Sequence, residues 1–247
     1  MSVDVVREIN RSYYHASDYL FPIALFNDVG GRPLLAHCPR GYNMIDLEDL
    51  DGNCLTPRLE EGAADVFHSR LEASVDGRWL LSNGWVWHPW RVVCVFDVAR
   101  ALEQPKYLST DGEKVDLGDA WKGEVEAATF VGDRLICATN ENKSTLGLYD
   151  LNARRLDHLI ELSEPAGTRL MALENDYVVL FDGHPRVLQL SSGAIVEQWE
   201  DLNGGAGVDF PSVSMNRAEP PCLATDPLHG RFALGWPDRI VILSLER

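Results

Sequence analysis

Ala73-Ser74-Val75-Asp76-Gly77-Arg78-Trp79-Leu80-Leu81-Ser82, resumed shortly afterwards by Val92-Val93-Cys94-Val95-Phe96-Asp97-Val98, is the stretch on which the fold turns. An apolar run meets an Asp-Gly turn, continues as a second run, and a further alternating run ends on an aromatic-Asp pair. Working outward, the same plan returns in Val131-Gly132-Asp133-Arg134-Leu135-Ile136-Cys137-Ala138 and Leu146-Gly147-Leu148-Tyr149-Asp150-Leu151. Repetition at a spacing of about 40 to 55 residues marks stacked or radial arrays, because one small sheet cannot bury both of its faces alone. The pattern predicts an all-β chain and a β-propeller.

The units are expected over residues 20–62, 65–118, 122–163, 167–202 and 210–247, as five blades of one domain spanning 1–247. The fourth is the most complete. Arg169–Leu173, Tyr177–Phe181, Val187–Leu190 and Ile195–Trp199 are separated by turn residues at Asn175-Asp176, Gly183 and Ser192-Gly193. The fifth holds only three strands. The apolar run Val3–Ile9 precedes the first unit without a partner, and its pairing with the last unit would close the ring and hide an edge. A two-sheet β-sandwich is the competing arrangement, since an all-β pattern alone does not determine topology.

The second unit resembles a WD repeat. Its segment 73–82 is similar to that family's apolar-Ser-x-Asp-Gly-x-x-Leu-x-Ser hairpin, and Phe96-Asp97 stands where the family has Trp-Asp. Tyr149-Asp150 and Ile45-Asp46 take the same place, whereas the fourth and fifth units carry Leu190-Ser191 and Leu243-Ser244. The family's Gly-His pair is absent from every unit, so its buried hydrogen-bond network is not carried over. The resemblance implies a rigid, non-catalytic platform for binding other proteins, although fold alone does not decide function.

Charge narrows the partners. With 38 acidic against 22 basic residues the formal net charge is −16, which repels nucleic acid and anionic membranes and favours a basic protein partner. The stretch 44–65 is especially acidic, with Asp46, Glu48, Asp49, Asp51, Glu60, Glu61 and Asp65 against Arg58 alone. Glu48, Asp49 and Asp51 are therefore candidate partner-binding residues. The first residues lack a basic, then apolar, export signal and no run is long enough to span a bilayer, so the expected compartment is the cytoplasm. The odd number of cysteines, with no C-x-x-C pair, reads as reduced core residues.

No local motif nominates a catalyst. The seven histidines are scattered singly, no G-x-S-x-G elbow occurs, and Gly204-Gly205-Ala206-Gly207 lacks the Lys-Ser/Thr of a phosphate cradle. No metal or cofactor is expected, and the enzyme alternative is a hydrolase or lyase whose acids and histidines meet only in a central channel. The most unusual stretch is Trp85-Val86-Trp87-His88-Pro89-Trp90-Arg91, with three of the seven tryptophans. Tryptophan and arginine dominate binding hot spots, so Trp85, Trp87, His88, Trp90 and Arg91 are candidate contact residues. The alternative is that Trp85 and Trp87 lie on a strand and pack inward. Two long insertions, around 106–117 and 201–217, are expected to project as loops, the first as a hairpin centred on Asp111-Gly112.

An inhibitor or immunity-type protein that neutralises a cationic toxin would use such acidity. A general scaffold fits the same sequence.

Overall fold

A computed structural model describes residues 7–16, 19–59, 62–87, 90–141, 144–174, 176–204 and 221–245. Its strands form five small antiparallel sheets, each a chain-order meander. A two-sheet sandwich would gather them into two. The chain divides into two units, one of residues 1–89 and 94–114, the other of 90–93 and 115–247.

In the first unit, β1 (Ile23–Asn27), β2 (Pro33–His37) and β3 (Asp46–Glu48) make one sheet, and β1 lies beside β4 (Leu71–Ala73). The second sheet orders β4, β5 (Trp79–Val86) and β6 (Trp90–Asp97), the last strand entering this unit at Cys94. The Asp-Gly turn works as its chemistry dictates. Ser74 Oγ donates to Asp76, accepts from the Trp79 amide at 2.9 Å, and Gly77 takes the left-handed φ of +69°.

Asp97, at the end of the aromatic-Asp pair, accepts from the Arg100 amide and so caps a short helix, α1 (Val98–Glu103). A 3-10 turn over Pro105–Ser109 follows, burying Tyr107 and Leu108. The Asp111-Gly112 stretch is not the projecting hairpin the sequence suggested, because Glu113 pairs back onto Val95 and Gly112 packs against the Val95 carbonyl.

His68 is fully enclosed beside the second sheet. The buried His68 places Nδ1 3.0 Å from Ser82 Oγ, which donates on to the Ser69 carbonyl, and its ring lies edge-on to Phe96. Burial pushes its pKa down to about 3, with Arg58 adding to the effect.

In the second unit, β7 (Ala127–Val131), β8 (Arg134–Thr139), β9 (Thr145–Asp150) and β10 (Arg155–Glu161) form one sheet. β11 (Leu170–Glu174), β12 (Tyr177–Asp182), β13 (His184–Gln189) and β14 (Ala194–Gln198) form the next. β15 (Cys222–Asp226), β16 (Arg231–Gly235) and β17 (Ile240–Ser244) form the last. The initial strand β11 lies beside both β7 and β15, so the three sheets adjoin through their first strands.

Strand alternation explains the packing of the middle sheet. Leu170, Ala172, Val178, Leu180 and Leu188 join Ile136, Leu146 and Leu148 of the preceding sheet in one core. Leu173, Val179, Phe181 and Val187 join Phe232 and Leu234 of the following sheet in another. A period of two with apolar residues at both phases thus buries both faces, each side chain contributing about 1.5–3 kcal/mol. Tyr149-Asp150 ends β9 as expected, with Asp150 accepting from the amides of Asn152 and Ala153.

Two expectations change at the ends of the chain. Residues 7–9 form no strand, and Arg7 instead reaches Glu48, while 3–6 lie outside the described residues. The proposed closing strand is therefore not seen to pair with the last sheet. Of the cysteines, Cys38, Cys94 and Cys137 are buried thiols, but Cys54 and Cys222 are exposed, so the core assignment holds for three of them. Most of the 201–217 insertion lies outside the described residues. No described helix is long and apolar enough to cross a membrane.

Candidate binding surface

The tryptophan stretch is not one loop. Trp85 belongs to β5 and Trp90 opens β6. Trp85 forms an antiparallel bridge with Phe67, the two amides donating to each other's carbonyls at 2.8 and 3.2 Å. The bridge lays the rings face to face, 4.1 Å apart and 2° from parallel. Gly84 permits it, since a Cβ there would come within 2.1 Å of the Phe67 carbonyl oxygen.

Other parts of the first unit build on this pair. Tyr42, in the turn before β3, stacks on Phe67 at 4.0 Å and accepts, through its carbonyl, the His68 amide. Tyr14 lies against Tyr42 at 5.3 Å, and Tyr19 meets Phe67 edge-on. Trp87 stands perpendicular to both Phe67 and Trp85. His15, held at the left-handed φ of 49°, sets its ring edge-on between Tyr14 (4.6 Å) and Trp87 (5.2 Å). A non-glycine residue in that region costs on the order of 1 kcal/mol, which the ring contacts offset.

The cluster grades from core to solvent. Phe67 is fully buried, whereas Tyr14 is 51% and Trp87 41% exposed. At its margin Tyr42 donates its hydroxyl to the exposed Asp65 at 2.6 Å, and burial together with that bond pushes the phenol up to about 12. The Trp85 indole N–H is enclosed without a hydrogen-bond partner among the described residues. On the other flank the Arg11 guanidinium lies 4.3 Å over the Tyr19 ring.

The remaining candidates lie elsewhere. Trp90 is 62% exposed in the second unit. Arg91 is committed there, its amide donating to Glu124 and its guanidinium to the Glu126 carbonyl. His88 lies outside the described residues.

The acidic trio does not make a face. Glu48 is buried on β3, accepting from Arg7 at 2.8 Å, and His37 Nε2 lies 2.9 Å from its other oxygen. Burial works to raise the Glu48 pKa, but Arg7 and His37 outweigh it and hold the carboxyl below its usual range. All three residues of β3 are buried, so this strand has no solvent phase in which an acidic side chain would stay exposed. Asp49 accepts from Asn53 to close a turn, and those bonds lower its pKa, while Asp51 stands exposed in the same turn. Asp46 is spent on a buried ion cluster, accepting from Arg40 and from Arg58.

Sequence reasoning missed Tyr14, His15, Tyr42 and Phe67. The run Tyr13-Tyr14-His15 was the available signal, an aromatic triplet ahead of the first strand with no alternation to place it in a core.

Among the described residues no group of three His, Cys, Asp or Glu could hold a metal ion. An open depression of about 560 Å³ in the second unit is lined by Asp133, Asp157, His158 and Asp176. Two of its carboxylates have local duties, Asp157 accepting from Arg155 and Asp176 from Ser191.

No protein-family model and no curated protein matches the chain. Among solved structures it is similar to the hydrazine synthase of Kuenenia stuttgartiensis, with a TM-score of 0.52 and 12% identity, over 90% of this chain and 58% of that one. At that identity the likeness concerns fold alone, and the chain spans little more than half the length of its neighbour.

Proposed function

We propose that the five sheets are blades of a β-propeller of the WD-repeat kind, and that the protein is a non-catalytic platform whose aromatic surface docks a basic protein partner. The observation that carries this reading is the continuity of exposed Tyr14 and Trp87 with the fully buried Phe67 and the half-buried Trp85 stacked on it. Large rings fixed in place lose little entropy on binding and bury much area, the composition of a hot spot. The net charge of −16 would speed encounter with a cationic partner and make association sensitive to salt. Adjoining first strands in the second unit and a middle sheet buried on both faces support the blade reading. A stoichiometric inhibitor of a cationic protein is the sharpest form of this role.

The test compares partner capture by the intact protein and by Trp87→Ala, at low and at raised salt. Capture that is lost in the variant and weakened by salt supports the reading. Capture indifferent to both removes it. Solution scattering tests the blades: a single disc-like particle is expected, and a profile of two separate bodies would exclude a ring.

A further inference from the structure

We infer that the aromatic surface of the first unit is a receptor for an arginine side chain of the partner. This rests on the reading of that surface as a docking face and names what the face selects.

Three observations converge. First, the solvent side of the cluster is made of π systems, Tyr14 and Trp87 with the His15 ring between them, and the faces of such rings attract a cation. Second, a carboxylate stands at the margin of the same cluster. Tyr42 is stacked on Phe67 and against Tyr14, and its hydroxyl occupies one oxygen of Asp65, orienting the group and leaving Oδ2 without a hydrogen bond or ion pair among the described residues. Third, the protein already uses this ring system in the proposed way: Arg11 lays its guanidinium 4.3 Å over Tyr19 and 5.4 Å from the Phe21 centroid, and Tyr19 touches Phe67.

A planar guanidinium suits this combination better than an ammonium. It is weakly hydrated, can lie flat on a ring, and keeps its in-plane N–H groups for a carboxylate at the ring's edge. The anionic background removes the penalty that a cationic partner would otherwise meet.

The intact protein is titrated with the tripeptide acetyl-Gly-Arg-Gly-amide and with its citrulline counterpart, which keeps the planar shape but carries no charge and exchanges one NH2 donor group for a carbonyl oxygen. Shifts of the tryptophan indole N–H resonances report binding. The arginine peptide is expected to bind about 2–5-fold more tightly than the citrulline one. Asp65→Asn should erase much of that preference without moving the thermal midpoint, and Trp87→Ala should weaken both peptides. Equal binding of the two peptides, binding of neither, or a preference untouched by Asp65→Asn overturns the inference. Partner capture that still depends on Trp87 would then leave the docking face standing without its arginine selectivity, so the two failures are distinguishable.

Discussion

The indole of Trp85 lies parallel to the phenyl ring of Phe67, 2° from coplanar orientation with centroids 4.1 Å apart, because their backbones form a single antiparallel bridge. Residues 18 positions apart in sequence thereby become one rigid plate beneath Trp87 and Tyr42. The plate gives the exposed rings a fixed foundation, and its weakest requirement is the absence of a side chain at residue 84.

Gly84→Ala should disrupt this foundation. The new methyl would meet the Phe67 carbonyl oxygen at 2.1 Å, and backbone rather than a flexible side chain must move. A loss of about 1–3 kcal/mol is expected, as for other overpacked sites, with loss of the near-ultraviolet dichroism of the stacked rings. An unchanged spectrum and melting temperature would show that the bridge is not needed.

Trp85 and Trp87 should separate into structural and contact roles. Trp85→Ala removes a stacked ring and is expected to cost about 3 kcal/mol. Trp87→Ala, at a position 41% exposed, should stay within about 1 kcal/mol of the parent while abolishing partner capture. Chemical denaturation of both variants checks the split, and equal destabilisation would contradict it.

His68 predicts an acid-side loss of stability above the range of the carboxylates. Its folded pKa is near 3, below the roughly 6.5 of an unfolded histidine, so the unfolded chain binds the extra proton. This contribution is complete above pH 6.5 and declines as pH falls toward 3, by at most about 1.4 kcal/mol per pH unit. Denaturation midpoints between pH 7 and 5 should fall in the parent and fall less in His68→Gln. Identical slopes would assign the decline to other groups.

The Asp46–Arg58 pair should be costly to break from one side. Both side chains are nearly fully buried, at 3% and 2% exposure, and Arg58 also donates to the Ile45 carbonyl and Ser109. Asp46→Ala strands the guanidinium and should cost about 3–5 kcal/mol, whereas Asp46→Leu combined with Arg58→Met should recover most of the loss. Urea midpoints for the three chains decide this, and a double variant as weak as the single one would assign the pair a role beyond mutual compensation.

Much of the fold was legible because strand pairing here is local. The run Tyr177–Phe181 and its partner at 187–190 appear as β12 and β13, and Gly132-Asp133 makes the two-residue turn between β7 and β8 that its composition promises. The short helix after Asp97 was not legible, since six residues are too few for a helical period to show. Glu48 misled for a related reason: a charge in an acidic run looks solvated until Arg7 and His37 arrive from other segments.

What the amino-acid order determined by itself was therefore the set of short strands, their turns and the neighbour each would pair with, because period-two alternation and Gly, Asn and Asp chemistry act over a few residues. Only tertiary structure decided that Tyr14, Tyr42, Phe67, Trp85 and Trp87 share one surface. Their meeting depends on close backbone approach at Gly84 and on packing between distant segments, and neither leaves a periodic trace in a linear chain.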